Sequence, residues 1–145
     1  MNLSTYIKTD YAGALVTNAN NTNDNSSRFD MAGYDGIIFL TTITDSATGG
    51  VATLTVEAST TDADTYMAAI TSASAAKTCA SGDDINNTLL IVDVYRPLKR
   101  YVQGVRTSSV ANIAFGEIIA IRYRGKTMPV DAGSTVSTQT TVVGS

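Results

Sequence analysis

Residues 50–60, GVATLTVEAST, alternate strictly, with Ala52, Leu54, Val56 and Ala58 on one face and Thr53, Thr55 and Glu57 on the other. Period two is the repeat of an extended chain, in which successive side chains point to opposite faces. The stretch reads as a strand with one face in a core and the other toward water. Just before it, residues 34–44, YDGIIFLTTIT, are nearly continuously apolar and β-branched, as expected of a strand buried on both sides. Residues 88–95, TLLIVDVY, and 113–124, IAFGEIIAIRYR, read similarly. In the latter, Ile113, Phe115, Ile119, Ile121 and Tyr123 are expected to share a face. Glu117 interrupts that face and needs a partner or an edge position.

Turn chemistry separates these runs. DSATGG at 45–50 and TTDADTY at 60–66 each link strands at hairpin distance, and ASGDDINN at 80–87 is a longer loop. Helical periodicity is weak throughout. TYMAAITSASAAK at 65–77 is expected to be strand in its first half and loop in its second. Seven to nine short strands with these spacings predict an all-β fold, an antiparallel β-sandwich that is jelly-roll-like, as a single domain over 1–129.

The ends differ from the middle. NANNTNDNSS at 18–27 is expected to be a polar loop, because Asn, Asp and Ser side chains compete for their own backbone. Residues 130–145, VDAGSTVSTQTTVVGS, carry no aromatic residue and no lysine or arginine, and read as an extended C-terminal arm. Such an arm is either disordered or laid along a neighbour as an added strand. Val136, Val142 and Val143 favour the neighbour and are candidate interface residues.

Composition narrows the function. At 145 residues the chain is expected to be one domain. Charged residues make up 16%, against roughly 25% in ordinary domains, so Thr, Ser, Asn and Ala must cover the surface. That surface suits protein packed against protein. With no histidine in the chain, a nucleophilic mechanism lacks its usual base. The lone Cys79 rules out an internal disulfide and reads as a small semi-buried side chain. The N-terminal MNLSTYIKTDYAG has no basic region followed by an apolar core, and no run approaches the ~20 apolar residues of a membrane span. A water-soluble protein without membrane contact is expected.

Charge is divided unevenly. Residues 1–95 hold eleven acids and three bases, whereas residues 96–145 hold seven bases and two acids. The bases gather in DVYRPLKRYVQGVR at 93–106, where Pro97 cannot donate to a ladder and marks a corner between strands. Arg96, Lys99 and Arg100 are therefore placed at one end of the sandwich. They serve either as solvated surface or as the complement of an acidic patch on a neighbour. Nucleic acid is not the expected partner, since the pI is about 4.7 and a phosphate-tracking surface needs a larger basic excess.

Other signals are weaker. Asp62 with Asp64, and Asp83 with Asp84, lack the spacing of a calcium loop and read as turn-forming. The Asn-x-Ser/Thr triplets at Asn20, Asn25 and Asn86 are ordinary in so Asn- and Thr-rich a chain. No phosphate-cradling glycine loop exists, so no catalytic residue, metal or cofactor is expected.

The combination of YDGIIFLTTIT, VEASTTDADTYMAAI, LLIVDVYRPLKRYVQGVR and IIAIRYRGKTMPV, covering residues 31–130, resembles the tailed-phage head decoration (cement) proteins. A Tyr-Asp-Gly strand start, a Ser-x-x-Asp hairpin, a Tyr-Arg-Pro-x-x-Arg-Tyr corner and a Pro-Val exit carry the resemblance. It implies a non-enzymatic β-sandwich, usually a homotrimer, seated on the outer surface of the capsid and bound to the major capsid protein. It transfers no binding residue. A capsid under pressure gains stability from bridging proteins through buried area alone, so the absence of histidine, tryptophan and disulfides is no handicap. The alternatives are a carbohydrate- or receptor-binding sandwich of a fibre, which the lack of tryptophan disfavours, and another virion part such as a tail or connector subunit.

Overall fold

A computed structural model describes residues 2–127 and 130–143. Among them the chain runs through ten strands: β1 (Ile7–Gly13), β2 (Val16–Ala19), β3 (Asn23–Asn25), β4 (Phe29–Asp30), β5 (Gly36–Ser46), β6 (Val51–Ser59), β7 (Ala68–Thr78), β8 (Thr88–Tyr95), β9 (Tyr101–Ser109) and β10 (Ile113–Tyr123). One sheet has the order β1-β10-β5-β8, with β2 also on β10. The other has the order β3-β9-β6-β7, with β4 also on β9. All pairings are antiparallel. From β5 onward every connection crosses between the sheets except β6–β7, which is the connectivity of a jelly roll.

The deciding stretch behaves as its alternation requires. Ala52, Leu54, Val56 and Ala58 of β6 are all no more than 3% exposed and face the opposite sheet. There they meet Ile37, Phe39, Thr41 and Ile43 of β5. Gly104 of β9 lets the layers close: a Cβ there would lie 2.9 Å from Ile118 and 3.0 Å from Phe39. Phe29 and Phe39 then meet in a tilted contact, ring centroids 5.9 Å apart and planes inclined at 58°.

Several expectations are corrected. DSATGG is not a hairpin, because β5 and β6 belong to different sheets and the turn carries the chain between layers. β5 is not buried on both sides: its outer face carries half-buried Ile38 and Leu40, with no layer above them. The second half of 65–77 is strand, since Ser74–Thr78 pair with β6; the irregularity lies instead at Ser72, with φ 66°. The polar 18–27 stretch contributes β3 and the end of β2, held by backbone pairing to β9 and β10. Pro129, the first residue of the Pro-Val pair and the last of the expected domain, lies outside the described residues.

β10 departs most. Phe115 pairs with Ile43 but Ile118 pairs with Thr41, three steps against two, so one extra residue bulges at Gly116–Glu117. A bulge reverses the alternation. Ile113 and Phe115 face the core before it and Ile118 and Ala120 after it, while Ile119, Ile121 and Tyr123 turn outward. Glu117 is exposed and interrupts nothing.

Arg106 on β9 is fully buried and reaches this bulge. Its Nη1 donates to the Gly116 carbonyl, and its Nη2 donates to the Ala14 carbonyl at 2.7 Å and to the Asp24 carboxylate. Removing it would take a donor from the Gly116 and Ala14 carbonyls and leave Asp24 without its cation. Arg106→Met is expected to lower the unfolding free energy by about 3 kcal/mol, the scale for breaking a buried pair. Urea melts check this; a loss under about 1 kcal/mol, ordinary for a surface substitution, would show that the guanidinium holds nothing.

Candidate functional site

The turn Arg96–Arg100 joins β8 to β9 at one end of the sandwich. Arg96 sits at φ 50°, which bends the chain sharply before Pro97, and its N–H donates to the Asp35 carbonyl at 2.7 Å. Its guanidinium lies 5.1 Å from the Tyr95 ring centroid, a cation–π distance. Leu98 at the tip is fully exposed. Beside the turn, Lys126 is fixed by its N–H donating to the Gly33 carbonyl at 2.8 Å. Met31, Tyr34, Arg96, Lys99, Arg100 and Lys126 line an open cleft of about 550 Å³.

Not every cation of the basic half is free to act in this cleft. Arg100 is committed to Asp30 by two parallel bonds, Nε to Oδ1 at 2.9 Å and Nη2 to Oδ2 at 2.8 Å. Arg122 turns inward between the rings of Phe29 and Tyr34 and pairs with Asp10 at 3.0 Å. Arg124 pairs with Asp35 at 3.4 Å, and Arg106 with Asp24 inside the fold. All four pairs join an acid of residues 1–95 to a base of residues 96–145. Four of the seven late bases are thus neutralised within the chain. Among the described residues Arg96, Lys99 and Lys126 have no carboxylate at ion-pair distance and leave the cleft cationic.

The predicted site residues therefore separate. Arg96 and Lys99 are exposed on the cleft, whereas Arg100 is structural. Val136 is half-buried beside β1, and Val142 and Val143 are 69% and 84% exposed. The arm itself folds back on its own domain: the Val130 N–H donates to the Thr5 carbonyl, and Thr135 Oγ1 accepts from the Tyr11 N–H at 2.7 Å. The four turn aspartates hold local structure. Asp62 pairs with Arg28, Asp64 accepts from Asn25 and Gln103, Asp83 accepts from Asn86, and Asp84 caps the Ala80 and Ser81 N–H groups. Cys79 is fully buried and donates to the Ser81 carbonyl at 3.2 Å.

Sequence reasoning missed Lys126, which joins the cleft only through the fold, and it missed the outer face of the first sheet. There the bulge brings Tyr11, Ile119, Leu40 and Ile91 into one row across four strands, with Ile121 and Ile38 in the next. Tyr11 is 46% and Ile91 51% exposed. At one end of this face Leu3, Tyr6, Ile7, Ile38, Ile121 and Tyr123 line a mainly apolar concavity of about 610 Å³. Burial raises the Tyr123 phenol above its ordinary range, helped by the Asp93 carboxylate that accepts its O–H at 2.7 Å. Among the described residues no helix is long and apolar enough to cross a membrane, and no three His, Cys, Asp or Glu side chains gather as a metal site.

Two antiparallel sheets in this connectivity define an all-β jelly-roll sandwich. The solved structure of the PBSX exported protein XepA is similar, with TM-score 0.52 and 16% identity over 99% of this chain and 45% of XepA. The chain thus spans less than half of that protein, and the likeness is one of fold. The structure of infectious bursal disease virus Gx strain follows at TM-score 0.43 and 10% identity, over 86% of this chain and 33% of that one. The CBM22-1–GH10 modules of Clostridium thermocellum xylanase 10B follow at 0.40 and 11%, over 83% and 26%. No protein-family model and no curated protein sequence matches the chain.

The Arg100–Asp30 pair makes a pH prediction. Its bonds hold the Asp30 carboxyl at about 2, below its ordinary 3.8, with the Ala32 N–H assisting. The stabilisation is present above the ordinary value and is lost as pH falls from about 4 toward 2. Because the pair is half-exposed, the effect is expected to be below about 1 kcal/mol. Asp30→Asn should flatten the acid limb of the stability–pH curve in that window, lowering stability by that small amount at pH 7 and converging on the parent near pH 2. An identical acid limb in the variant would dismiss the pair as a contributor.

Proposed function

We propose that this chain is a non-enzymatic structural virion protein: a capsid decoration protein that binds the major capsid protein on the outer surface of a phage head and bridges capsomers, as a homotrimer. The observation that carries the reading is the uncovered apolar face of the first sheet. A rigid sandwich keeps such a face exposed at a free-energy disadvantage unless another protein covers it. The adjacent cationic cleft, with Leu98 standing free beside it, adds a charged rim of the kind that sets orientation and encounter rate. The likeness in fold to XepA, an exported protein of the phage PBSX, supports a phage setting. The chain's lack of histidine supports a role without chemistry.

A second reading has its own observation. Tyr6 and Tyr123 line the outer-face concavity, and tyrosines beside a carboxylate can cradle a sugar, as in a receptor-binding fibre module. A tail or connector subunit would use the same sandwich differently. Glycan-array binding distinguishes the first of these from decoration.

The direct test is cosedimentation with capsid shells. The purified protein is expected to pellet with shells in a saturable, salt-sensitive manner, and Arg96→Glu with Lys99→Glu to weaken binding about tenfold while the thermal melt stays within a few degrees. Absence of shell binding at any ionic strength would remove the decoration role. Unchanged binding by the double variant would make the cleft mere solvated surface.

A further inference from the structure

Sheet edges are where one sandwich can be joined to another, because each presents a row of unpaired N–H and C=O groups. Three of the four edges here are obstructed. β1 is overlaid by the chain from Val130 to Val136, whose Val130 N–H and Thr135 Oγ1 bond its backbone or the residues leading into it. β7 is broken by the irregularity at Ser72, where its register with β6 shifts. The fourth strand position beside β9 holds only the three residues of β3 and the two of β4.

β8 is different. It pairs with β5 in unbroken register from Gly36–Tyr95 to Ile43–Thr88, contains no proline and carries one charge, Asp93. Among the described residues no second strand pairs with it. Its outward side chains Leu89, Ile91 and Tyr95 are 55%, 51% and 54% exposed. An edge this long, regular and apolar is an acceptor for an added strand.

The same chain holds a segment in the complementary condition. Residues 137–143, STQTTVV, are exposed throughout and make no backbone hydrogen bond among the described residues. Their hydrogen bonds among the described residues run from the Gln139 and Thr141 side chains to Ser4. Threonine and valine favour the extended conformation. Seven residues match the eight of β8, and the segment leaves from the β1 edge, on the opposite side of the same sheet from β8.

We propose that β8 is the acceptor edge for residues 137–143 of a second copy of this chain, so that the first sheet continues from one subunit into the next. The inference rests on the reading of the chain as an assembling virion subunit and names the surface through which it self-assembles. Donor and acceptor lie on opposite edges, so the contact is heterologous. It builds a ring where the rotation closes and an open chain where it does not.

Two variants test this. Leu89→Lys with Ile91→Lys blocks the edge through side chains that point away from the core, and a chain ending at Val136 lacks the donor. Circular dichroism and thermal melts establish that both fold. In sedimentation velocity the intact chain is expected to self-associate, each variant alone to be monomeric, and an equimolar mixture to form a one-to-one pair, one member supplying the arm and the other the edge. The inference is overturned if the intact chain stays monomeric at its solubility limit, or if the Lys variant assembles normally. It is equally overturned if the truncated chain assembles, which would mean that β8 pairs with itself, or if the mixture fails to pair. Shell binding without self-association would overturn this inference alone; self-association without shell binding would overturn the decoration reading alone.

Discussion

A guanidinium buried between two sheets has to find acceptors, and the arrangement around Arg106 follows from that requirement. The bulge in β10 turns the Gly116 carbonyl toward it, and Thr41 Oγ1 donates to the same carbonyl and to that of Glu117. Asp24 is drawn in as the counter-charge, which places a run of asparagines and aspartate against β9 as a strand. The bulge also reverses the phase of β10. Ile119 and Ile121 therefore face outward instead of into the core, beside Ile38 and Leu40. The share of the exposed apolar face that β10 contributes, Ile119 and Ile121, thus follows from the bulge that this buried cation caps.

The same logic accounts for the uneven charge. Bases late in the chain and acids early in it meet across strands distant in sequence, so Arg100, Arg106, Arg122 and Arg124 find Asp30, Asp24, Asp10 and Asp35. Such pairs are modest stabilisers at the surface, but they help specify which strands lie together. Of the late bases, Arg96, Lys99 and Lys126 remain without a carboxylate among the described residues, around one cleft with Leu98 beside them. A corner left cationic next to an apolar face resembles the rim and centre of a protein interface more than the floor of an active site.

The sequence was legible where a single physical cause acts locally. The alternation of 50–60 dictated β6 and its core face, and the proline of RPLK dictated the corner. It was opaque where the cause is distant. Nothing near DSATGG says that the turn leads to the other sheet, because pairing partners are chosen by the whole topology. The alternation after Phe115 misleads because the extra residue at Gly116–Glu117 is accommodated by Arg106 and Thr41, which lie on other strands. Arg106 itself stands in a stretch rich in cations and reads as surface. Lys126 joins the cleft only because Gly33 holds its backbone, ninety-three positions away.

On the proposed reading, β8 and residues 137–143, the least protected elements of the sandwich, are the ones that other protein contacts. Amide hydrogen exchange, measured on the free chain at a dilution where it is monomeric and again on the chain assembled on capsid shells, tests this most directly. The account predicts that β5, β6, β9 and β10 exchange slowly in both states, whereas β8 and residues 137–143 exchange fast when free and are both protected when bound. Equal exchange of β8 and residues 137–143 in the two states would contradict it.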